Sequence, residues 1–182
     1  MRNWDEHYSD PANLDFAPEP LLVVAVEMLP PGDALDLACG VGRNAIYLAR
    51  LGWRTTAVDA SEVAIARLRQ RAAGLAVDAR VADLEDGAFR IAPDGYDLIA
   101  DFFYLQRDLF PQIRAGLRPG GVFTGAIHLF DPAAGAGPHN PAFLMHPGEL
   151  RDEFAGWKIV YYSEGGEAGK TRRAARIIAR HA

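Results

Sequence analysis

A short apolar run that leads through a glycine turn into a helical pattern constrains the fold of this chain more than any other feature. The run is Ala34 to Ala38, the turn is Cys39 to Gly42, and the helical pattern extends from about Arg43 to Leu51. Because glycine lacks a Cβ atom, the backbone at Gly40 and Gly42 can bend sharply and a ligand can approach it closely. The free N–H groups of the following helix would face that ligand. The sequence therefore predicts a strand, a ligand-binding turn and a helix in succession.

Short β-rich runs alternate with longer helical patterns along the rest of the chain, which is typical of βαβ units and a parallel sheet. We predict a doubly wound α/β fold whose mostly parallel sheet has about seven strands, helices on both faces and an antiparallel last strand. The turn Arg118 to Gly121 is expected to precede the fifth strand, and a Gly-rich loop, Gly165 to Gly169, to join the last two. The predicted strands are 34–38, 55–58, 79–82, 96–100, 122–129, 157–162 and 175–179, and the predicted helices are 19–29, 43–51, 61–73, 106–116 and 148–155.

Composition restricts the class of protein. A length of 182 residues with 49% hydrophobic content suits one globular domain. The net charge of −5 and the scattered arginines argue against a nucleic-acid partner. The single cysteine, Cys39, excludes an intramolecular disulfide framework and a Cys-rich zinc site, and no histidine pair has the spacing of a metal site.

The hydrophobic stretches are short. The longest one, Leu21 to Val26, falls far below the roughly 20 residues that cross a bilayer. The first ten residues lack the charged and apolar regions of a signal peptide. We therefore expect a soluble, cytoplasmic protein with no membrane partner.

Acidic residues end the second and third predicted strands. Asp59 lies nineteen positions after Gly40, where a carboxylate can accept hydrogen bonds from both hydroxyls of a ribose; the alternative is an acid at a helix N-terminus. Asp83 follows the third strand, and with Leu84 it would place a polar and an apolar group at the edge and face of an adenine. On its own, Asp83 is more typical of a turn.

In order and spacing, these residues resemble the class I S-adenosylmethionine-dependent methyltransferases. The resemblance covers residues 4 to 129, and its motifs are Asp36-x-x-Cys39-Gly40-x-Gly42-Arg43-Asn44, Asp59, Asp83, Tyr96-Asp97-Leu98-Ile99 and Leu117-Arg118-Pro119-Gly120-Gly121. Within the class, Trp4-Asp5-x-x-Tyr8 and the Cys-Gly-x-Gly-Arg-Asn form are similar to the tellurite-resistance and thiopurine methyltransferase branch, whose members methylate small, soft acceptors.

This resemblance implies S-adenosylmethionine as cofactor and a small molecule as methyl acceptor. It implies that the glycine turn passes under the methionine part, that Asp36 contacts the ammonium group and that Asp59 binds the ribose. Tyr8 is expected to close over the cofactor, although Trp4 and Tyr8 also have the spacing of an amphipathic helix that packs on the domain. The implied cofactor-binding residues are Tyr8, Asp36, Ala38, Gly40, Gly42, Arg43, Asn44, Asp59, Ala60, Asp83, Leu84 and Asp101.

The acceptor side is expected to involve residues 130–147, whose many prolines and glycines argue against a packed element. We therefore divide the single domain into an N-terminal cap (1–32), a cofactor-binding core (33–129), this acceptor-side loop and a C-terminal helix with a strand pair (148–182). The candidate substrate-binding residues are Tyr104, Asn140, Phe143 and His146. A soft acceptor needs no base; a hydroxyl or amine acceptor would need one, and the candidates are Asp101, His128 and His146.

Two alternatives stay open at this point. The pattern Gly40-x-Gly42-x-x-Ala45 also satisfies the dinucleotide-binding fingerprint of NAD(P) oxidoreductases, but fewer than sixty residues follow the fifth predicted strand, too few for a substrate domain. A protein that binds S-adenosylmethionine or S-adenosylhomocysteine without turnover, as a sensor or accessory protein, would share the same motifs. Both a monomer and a homodimer are compatible with the sequence.

Overall fold

A computed structural model of the protein describes residues 3–130, 141–166 and 173–182. Its strands form one seven-stranded sheet in the order β3-β2-β1-β4-β5-β7-β6. The strands are β1 (Asp33–Leu37), β2 (Arg54–Asp59), β3 (Val77–Val81), β4 (Tyr96–Phe102), β5 (Leu117–His128), β6 (Lys158–Gly166) and β7 (Arg173–Arg180). The helices are α1 (Trp4–Ser9), α2 (Pro20–Val26), α3 (Arg43–Arg50), α4 (Glu62–Arg71), α5 (Leu109–Gly116) and α6 (Glu149–Glu153), with 3₁₀ turns at Pro11–Asn13 and Pro141–Phe143.

The sheet winds outward from its middle. Strands β1 to β5 are parallel, and β7 runs antiparallel to both β5 and β6. The chain moves from β1 to β2 and β3 on one side, then returns to β4 on the other side of β1. This reversal places a topological switch point between β1 and β4, where ligands of open α/β sheets bind. The predicted fold class is confirmed, including the antiparallel last strand.

Most predicted elements differ from the structure by one to three residues at their ends, and two segments predicted as a turn or loop extend strands instead. Strand β5 begins at Leu117, because the segment predicted as a tight turn pairs with the chain end: the Gly120 N–H donates to the His181 carbonyl, and the His181 N–H donates to the Gly121 carbonyl. Strand β6 continues through Gly165 and Gly166, which pair with Ala174 and Arg173 of β7. The predicted loop therefore starts later than Gly165, and its residues 167–169 lie outside the described part of the chain.

Apolar side chains alternate between the two faces of the sheet, as the period of a strand requires. On one face, Leu35, Ile99 and Phe123 are paired neighbours in a core that includes α5 and α6. On the other face, Leu98 and Val122 pack in a core with α2 and α3. Helices cover both faces, so the strand ends are held between two packed layers.

The aromatic centre of the first core is expected to contribute strongly to stability. Phe154 is 1% exposed and stacks on Phe123 with ring centroids 4.5 Å apart. Phe154→Ala should lower the free energy of unfolding by about 3–5 kcal/mol, since it leaves a cavity that the sheet cannot close. Phe143, which is 54% exposed, is the matched control, and Phe143→Ala should change stability by less than about 0.5 kcal/mol. Urea unfolding of both variants measures the difference; equal losses would contradict this view of the core.

Candidate functional site

A cavity of about 400 Å³ lies at the carboxyl ends of the central strands, with α1 on its outer side. This is the edge of the sheet at which the switch point opens. Residues from the ends of β1, β2 and β4, from the segment after β3 and from the N-terminal region contribute to it. The lining residues are Trp4, His7, Tyr8, Asn13, Asp15, Asp36, Leu37, Ala38, Cys39, Gly40, Val41, Arg43, Asn44, Asp59, Ala60, Ala82, Asp83, Leu84, Glu85, Phe102, Phe103 and Tyr104.

The cavity brings together most of the residues that the sequence singled out. Two of the proposed cofactor residues, Gly42 and Asp101, and three acceptor-side or catalytic candidates, His128, Phe143 and His146, are not among its lining residues. Asn140 lies outside the described residues. The predicted site residues that do line the cavity are Tyr8, Asp36, Ala38, Gly40, Arg43, Asn44, Asp59, Ala60, Asp83, Leu84 and Tyr104.

The glycine turn needs glycine at two positions for different reasons. Gly40 (φ +53°) and Gly42 (φ +78°) both have left-handed backbone conformations that side chains disfavour. A Cβ atom at Gly40 would lie 2.6 Å from the Tyr8 hydroxyl, at the cavity. A Cβ atom at Gly42 would lie 2.1 Å from a methyl group of Leu68 on α4. Gly42, which was predicted to contact the cofactor, does not line the cavity, and its lack of a Cβ atom leaves room for Leu68 where α3 begins beside α4.

Asp36 is the last but one residue of β1 and is buried at 1% exposure. Its Oδ2 atom accepts a hydrogen bond of 3.1 Å from the backbone N–H of Ala45, in the first turn of α3. Burial raises the pKa of Asp36 to about 7, although the Ala45 hydrogen bond and the charge of Arg43 oppose that rise. A buried carboxylate that lines a cavity is poised to receive a positively charged ligand group.

Asp59 joins the ends of β1 and β2. Its Oδ2 atom accepts from the N–H of Gly40 at 2.7 Å, and its Oδ1 atom accepts from the N–H of Ser61 at 2.9 Å. The residue that caps the N-terminus of α4 is Ser61 rather than Asp59, because the Ser61 Oγ accepts a hydrogen bond from the Ala64 N–H. Burial raises the pKa of Asp59. Each carboxylate oxygen keeps a further lone pair, so Asp59 can still accept hydrogen bonds from a ligand.

The segment after β3 supplies the next wall of the cavity. Asp83 accepts a hydrogen bond of 2.9 Å from the Glu85 N–H, which closes a local turn, and Leu84 is buried. Asp83 therefore stabilises a turn, as its position in the sequence suggested, and lines the cavity as well. Ala82 and Glu85, which flank Asp83 and Leu84 in the sequence, also line the cavity but were not among the predicted site residues.

Arg43 and Asn44 line the cavity, but their recorded bonds hold the N-terminal segment. Arg43 pairs with Asp15 at 2.7 Å and with Glu19, and the Asn44 Oδ1 atom accepts from the Glu19 N–H at 2.9 Å. Asp15 is thereby drawn to the cavity. The sequence offered no signal for Asp15, because its partner lies 28 positions away.

Helix α1 is fixed over the cavity by Asp5. The Asp5 carboxylate accepts from the Ser61 hydroxyl at 2.6 Å and from the Val63 N–H at 3.3 Å, next to the end of β2. Trp4 and Tyr8 stack with ring centroids 6.1 Å apart, and both line the cavity. His7, one position before Tyr8, lines it as well and was missed by the sequence analysis.

The end of β4 provides aromatic rings. Phe103 has a left-handed backbone (φ +66°), and its ring stacks on His128 with centroids 4.8 Å apart. Phe103 thus stands between the cavity and His128, which explains why that histidine does not line it. Asp101 is buried in the sheet two positions earlier, and burial raises its pKa well above the ordinary value. Tyr104 continues the cavity wall.

The described part of the expected acceptor-side loop lies away from the cavity. Arg107 donates to the carbonyls of Ala142 and Leu144 and forms a two-pronged ion pair with Glu149, which holds this segment beside the start of α5. Phe143 is exposed, and His146 borders a separate shallow depression. The prolines and glycines of the sequence predicted an irregular segment, but they could not predict whether it packs against the cavity or away from it.

Residues 3–130, 141–166 and 173–182 contain neither a metal-binding cluster nor a membrane-spanning helix. No group of three histidine, cysteine or acidic side chains there could hold a metal ion. None of the helices in these ranges has the length and apolarity needed to cross a membrane.

The raised pKa of Asp36 predicts a pH-dependent effect on stability. Between pH 4 and 7 the folded protein keeps a proton at Asp36 that the unfolded chain has released, so this group costs stability as the pH rises to about 7. Asp36→Asn removes the cost. Its stability relative to the unmodified protein should therefore improve by roughly 2–3 kcal/mol from pH 5 to pH 8. Denaturant unfolding of both proteins at the two pH values tests this; a constant difference would show that Asp36 titrates normally.

Comparisons with known proteins agree with the geometry. Residues 4–182 match the family described as "Tellurite resistance protein TehB". The chain is 34% identical over 150 residues to "Hemagglutinin 1" of Eikenella corrodens, a match that covers 77% of this chain and 48% of that protein. It is 29% identical over 160 residues to "Probable S-adenosyl-L-methionine-dependent methyltransferase TehB" of Haemophilus influenzae, which covers 82% of this chain and 54% of the relative. The chain thus spans about half the length of the curated relatives it matches.

A solved structure supports the fold. The crystal structure of TehB from Haemophilus influenzae superposes with a TM-score of 0.78 at 22% identity, covering 98% of this chain and 67% of that chain. This likeness confirms the predicted Rossmann-like methyltransferase fold, and the match over residues 4–182 confirms the resemblance to the tellurite-resistance branch. The chain therefore belongs to the tellurite resistance protein TehB family.

Proposed function

We propose that this protein transfers a methyl group from S-adenosylmethionine to a small molecule. The observation that carries the proposal is the cavity at the switch point, in which a glycine turn, the buried Asp36 and the end of β2 at Asp59 meet. In this assignment Asp36 faces the ammonium group, Asp59 binds the ribose, and Asp83 with Leu84 borders the adenine.

The charge of the cavity fits this cofactor. Its described lining carries five acidic side chains, and its one arginine, Arg43, is already paired with Asp15 and Glu19. An acidic cavity attracts the sulfonium and ammonium groups of S-adenosylmethionine, and aromatic rings such as those of Tyr8 and Phe103 favour a nearby cation. The anionic pyrophosphate of NAD(P) would meet carboxylates instead. This charge pattern favours the methyltransferase over the oxidoreductase alternative.

When bound, S-adenosylmethionine supplies a methyl group on a positively charged sulfur that leaves as a neutral thioether. The chain would hold the acceptor in line and exclude water, an orientation effect that can supply roughly 7–11 kcal/mol. We place the acceptor against Phe102, Phe103 and Tyr104, because they continue the cavity beyond the glycine turn.

Among the described residues, the wall formed by Phe102, Phe103 and Tyr104 offers no side chain that readily accepts a proton. Burial and nearby carboxylates raise the pKa of Tyr104, whose hydroxyl donates to Gln106, so Tyr104 stays protonated and does not supply a base. Asp101 lies behind the wall. A thiol or chalcogen acceptor, which is nucleophilic without a base, therefore suits the site best; for a hydroxyl or amine acceptor, His7 is the described cavity-lining histidine.

We further propose that residues 1–182 act as one methyltransferase domain in which the first 32 residues cap the cofactor. All the assigned cofactor contacts come from one chain, so a monomer suffices and a homodimer would leave them unchanged. The acidic cavity favours a small acceptor over nucleic acid. A single, buried cysteine is compatible with the reducing cytoplasm.

Ligand binding provides the first test. S-adenosylhomocysteine should raise the melting temperature, because a ligand at 100 times its dissociation constant stabilises the folded state by about 2.7 kcal/mol, whereas NAD should leave it unchanged. Incubation with labelled S-adenosylmethionine and a panel of thiols, selenite, tellurite, phenols and amines then follows turnover. Acceptor-dependent formation of S-adenosylhomocysteine is expected. Binding without product across the panel would favour the sensor, and stabilisation by NAD alone would overturn the proposal.

Asp59 should contribute directly to cofactor affinity. Asp59→Ala removes charge-assisted hydrogen bonds to the ribose and the anchor of Gly40, so the affinity for S-adenosylhomocysteine should fall at least about tenfold. Asp78→Asn, at an exposed position on β3, is the control and should bind normally. Calorimetry compares the two variants; unchanged affinity in Asp59→Ala would limit Asp59 to a structural role.

A further inference from the structure

Gln106 connects two walls of the cavity without lining it. It is half-buried in the segment between β4 and α5. Its Oε1 atom accepts a hydrogen bond of 2.7 Å from the Tyr104 hydroxyl, and its Nε2 atom donates a hydrogen bond of 3.0 Å to the Leu84 carbonyl. Both partners line the cavity, although Gln106 itself does not.

The chemistry of the three groups fixes the direction of both bonds. The Leu84 carbonyl can only accept, so the NH₂ group of the amide must face it, and the amide oxygen is left for the Tyr104 hydroxyl. A glutamine side chain carries this donor and acceptor pair on one rigid group. Glutamate at the same position would keep an acceptor for Tyr104 but lose the donor to Leu84.

The bridge spans strand ends that the sheet itself does not join. Leu84 follows β3 and Tyr104 follows β4, and β2 and β1 lie between these two strands. Residues 82–95, which contain Leu84, form no strand or helix. The Ala82 N–H still donates to the Asp59 carbonyl, and Leu84 packs in the same apolar core as Tyr104, but no ladder hydrogen bond reaches the Leu84 carbonyl. The Gln106 side chain supplies the polar link between these two cavity walls.

We infer that Gln106 is a positioning residue that holds the wall at Leu84 and the wall at Tyr104 in register across the cofactor cavity. The inference rests on the proposed function, in which Leu84 borders the adenine and Tyr104 faces the acceptor. Gln106 touches neither ligand and acts through its two partners. It also commits the Tyr104 proton, so Tyr104 offers a ligand its ring and a lone pair but no hydrogen-bond donor.

Calorimetry with S-adenosylhomocysteine tests the cofactor side. Gln106→Leu should weaken binding about three- to tenfold, which corresponds to the net value of a hydrogen bond. Gln106→Glu, which preserves size, should weaken it as well, because its carboxylate repels the Leu84 carbonyl. Gln70→Leu is the matched control: Gln70 is exposed on α4, and its replacement should leave affinity unchanged. Hydrogen exchange should quicken in residues 82–88 of Gln106→Leu but not in the central strands.

Kinetics test the acceptor side with the best acceptor of the panel. At saturating S-adenosylmethionine, Gln106→Leu should still lower kcat/KM for the acceptor, whereas Gln106→Glu, which keeps the Tyr104 bond, should lower it less. In a Tyr104→Phe background, Gln106→Leu should add little to the acceptor defect but retain its full effect on cofactor affinity. If Gln106 had only a structural role, its replacement would lower the melting temperature without separating the acceptor defect from the loss of cofactor affinity.

The possible failures are distinguishable. If the unmodified protein does not bind S-adenosylhomocysteine, the proposed function fails. If the unmodified protein binds it and both Gln106 variants bind within twofold of that value, only the role of Gln106 is overturned. Should Gln106→Leu fail to fold, Gln106→Glu carries the cofactor test alone. Additive acceptor defects for Tyr104→Phe and Gln106→Leu would also overturn the inference, since they would show that Gln106 does not act through Tyr104.

Discussion

The hydrogen bond from the Gly40 N–H to the Asp59 carboxylate is the interaction on which the site depends. At 2.7 Å it fixes the glycine turn after β1 against the end of β2, and the same carboxylate holds the Ser61 N–H at the approach to α4. The Ser61 hydroxyl in turn donates a hydrogen bond to the Asp5 carboxylate and so holds α1 in place. Asp59 thus connects three walls of the cavity, directly or through Ser61. Its hydrogen bonds to the Gly40 and Ser61 N–H groups offset the cost of removing its carboxylate from water.

The cap over the cavity is held more weakly than the floor. Asp5 and Asp15 are exposed, and solvent screens exposed ion pairs and charge-assisted contacts, so each of them contributes little to stability. The floor consists of strands whose side chains are buried on both faces. The N-terminal segment is therefore the wall of the cavity that can open at the lowest cost in free energy.

Local patterns predicted the strands, the glycine turn and the acids at the strand ends, because periodicity, left-handed glycines and strand termini are encoded by neighbouring residues. Contacts between segments far apart in the chain could not be predicted from such local patterns. Gly42 fits the turn signal, but only the packing of α4 shows that Leu68 occupies its free side. Asp15 reaches the cavity through Arg43, which lies 28 positions away, and His7 lies there because Asp5 of the same helix bonds to Ser61. Arg107 holds the segment around Phe143 away from the cavity. Sequence proximity to a strand end is thus an uncertain guide where a long irregular segment intervenes.

The sharp exits from β1 and β4 are a consequence of the winding that creates the cavity. After β1 the chain turns to α3 on one face of the sheet, and after β4 it turns to α5 on the other. Adjacent strands that diverge in this way must leave the sheet abruptly, and Ala38 (φ +48°) and Phe103 (φ +66°) both adopt left-handed backbones at those exits. Such conformations cost on the order of 1–2 kcal/mol for a non-glycine residue. Since both residues line the cavity, the strain lies where the crevice opens, and the two packed cores on either face hold it in place.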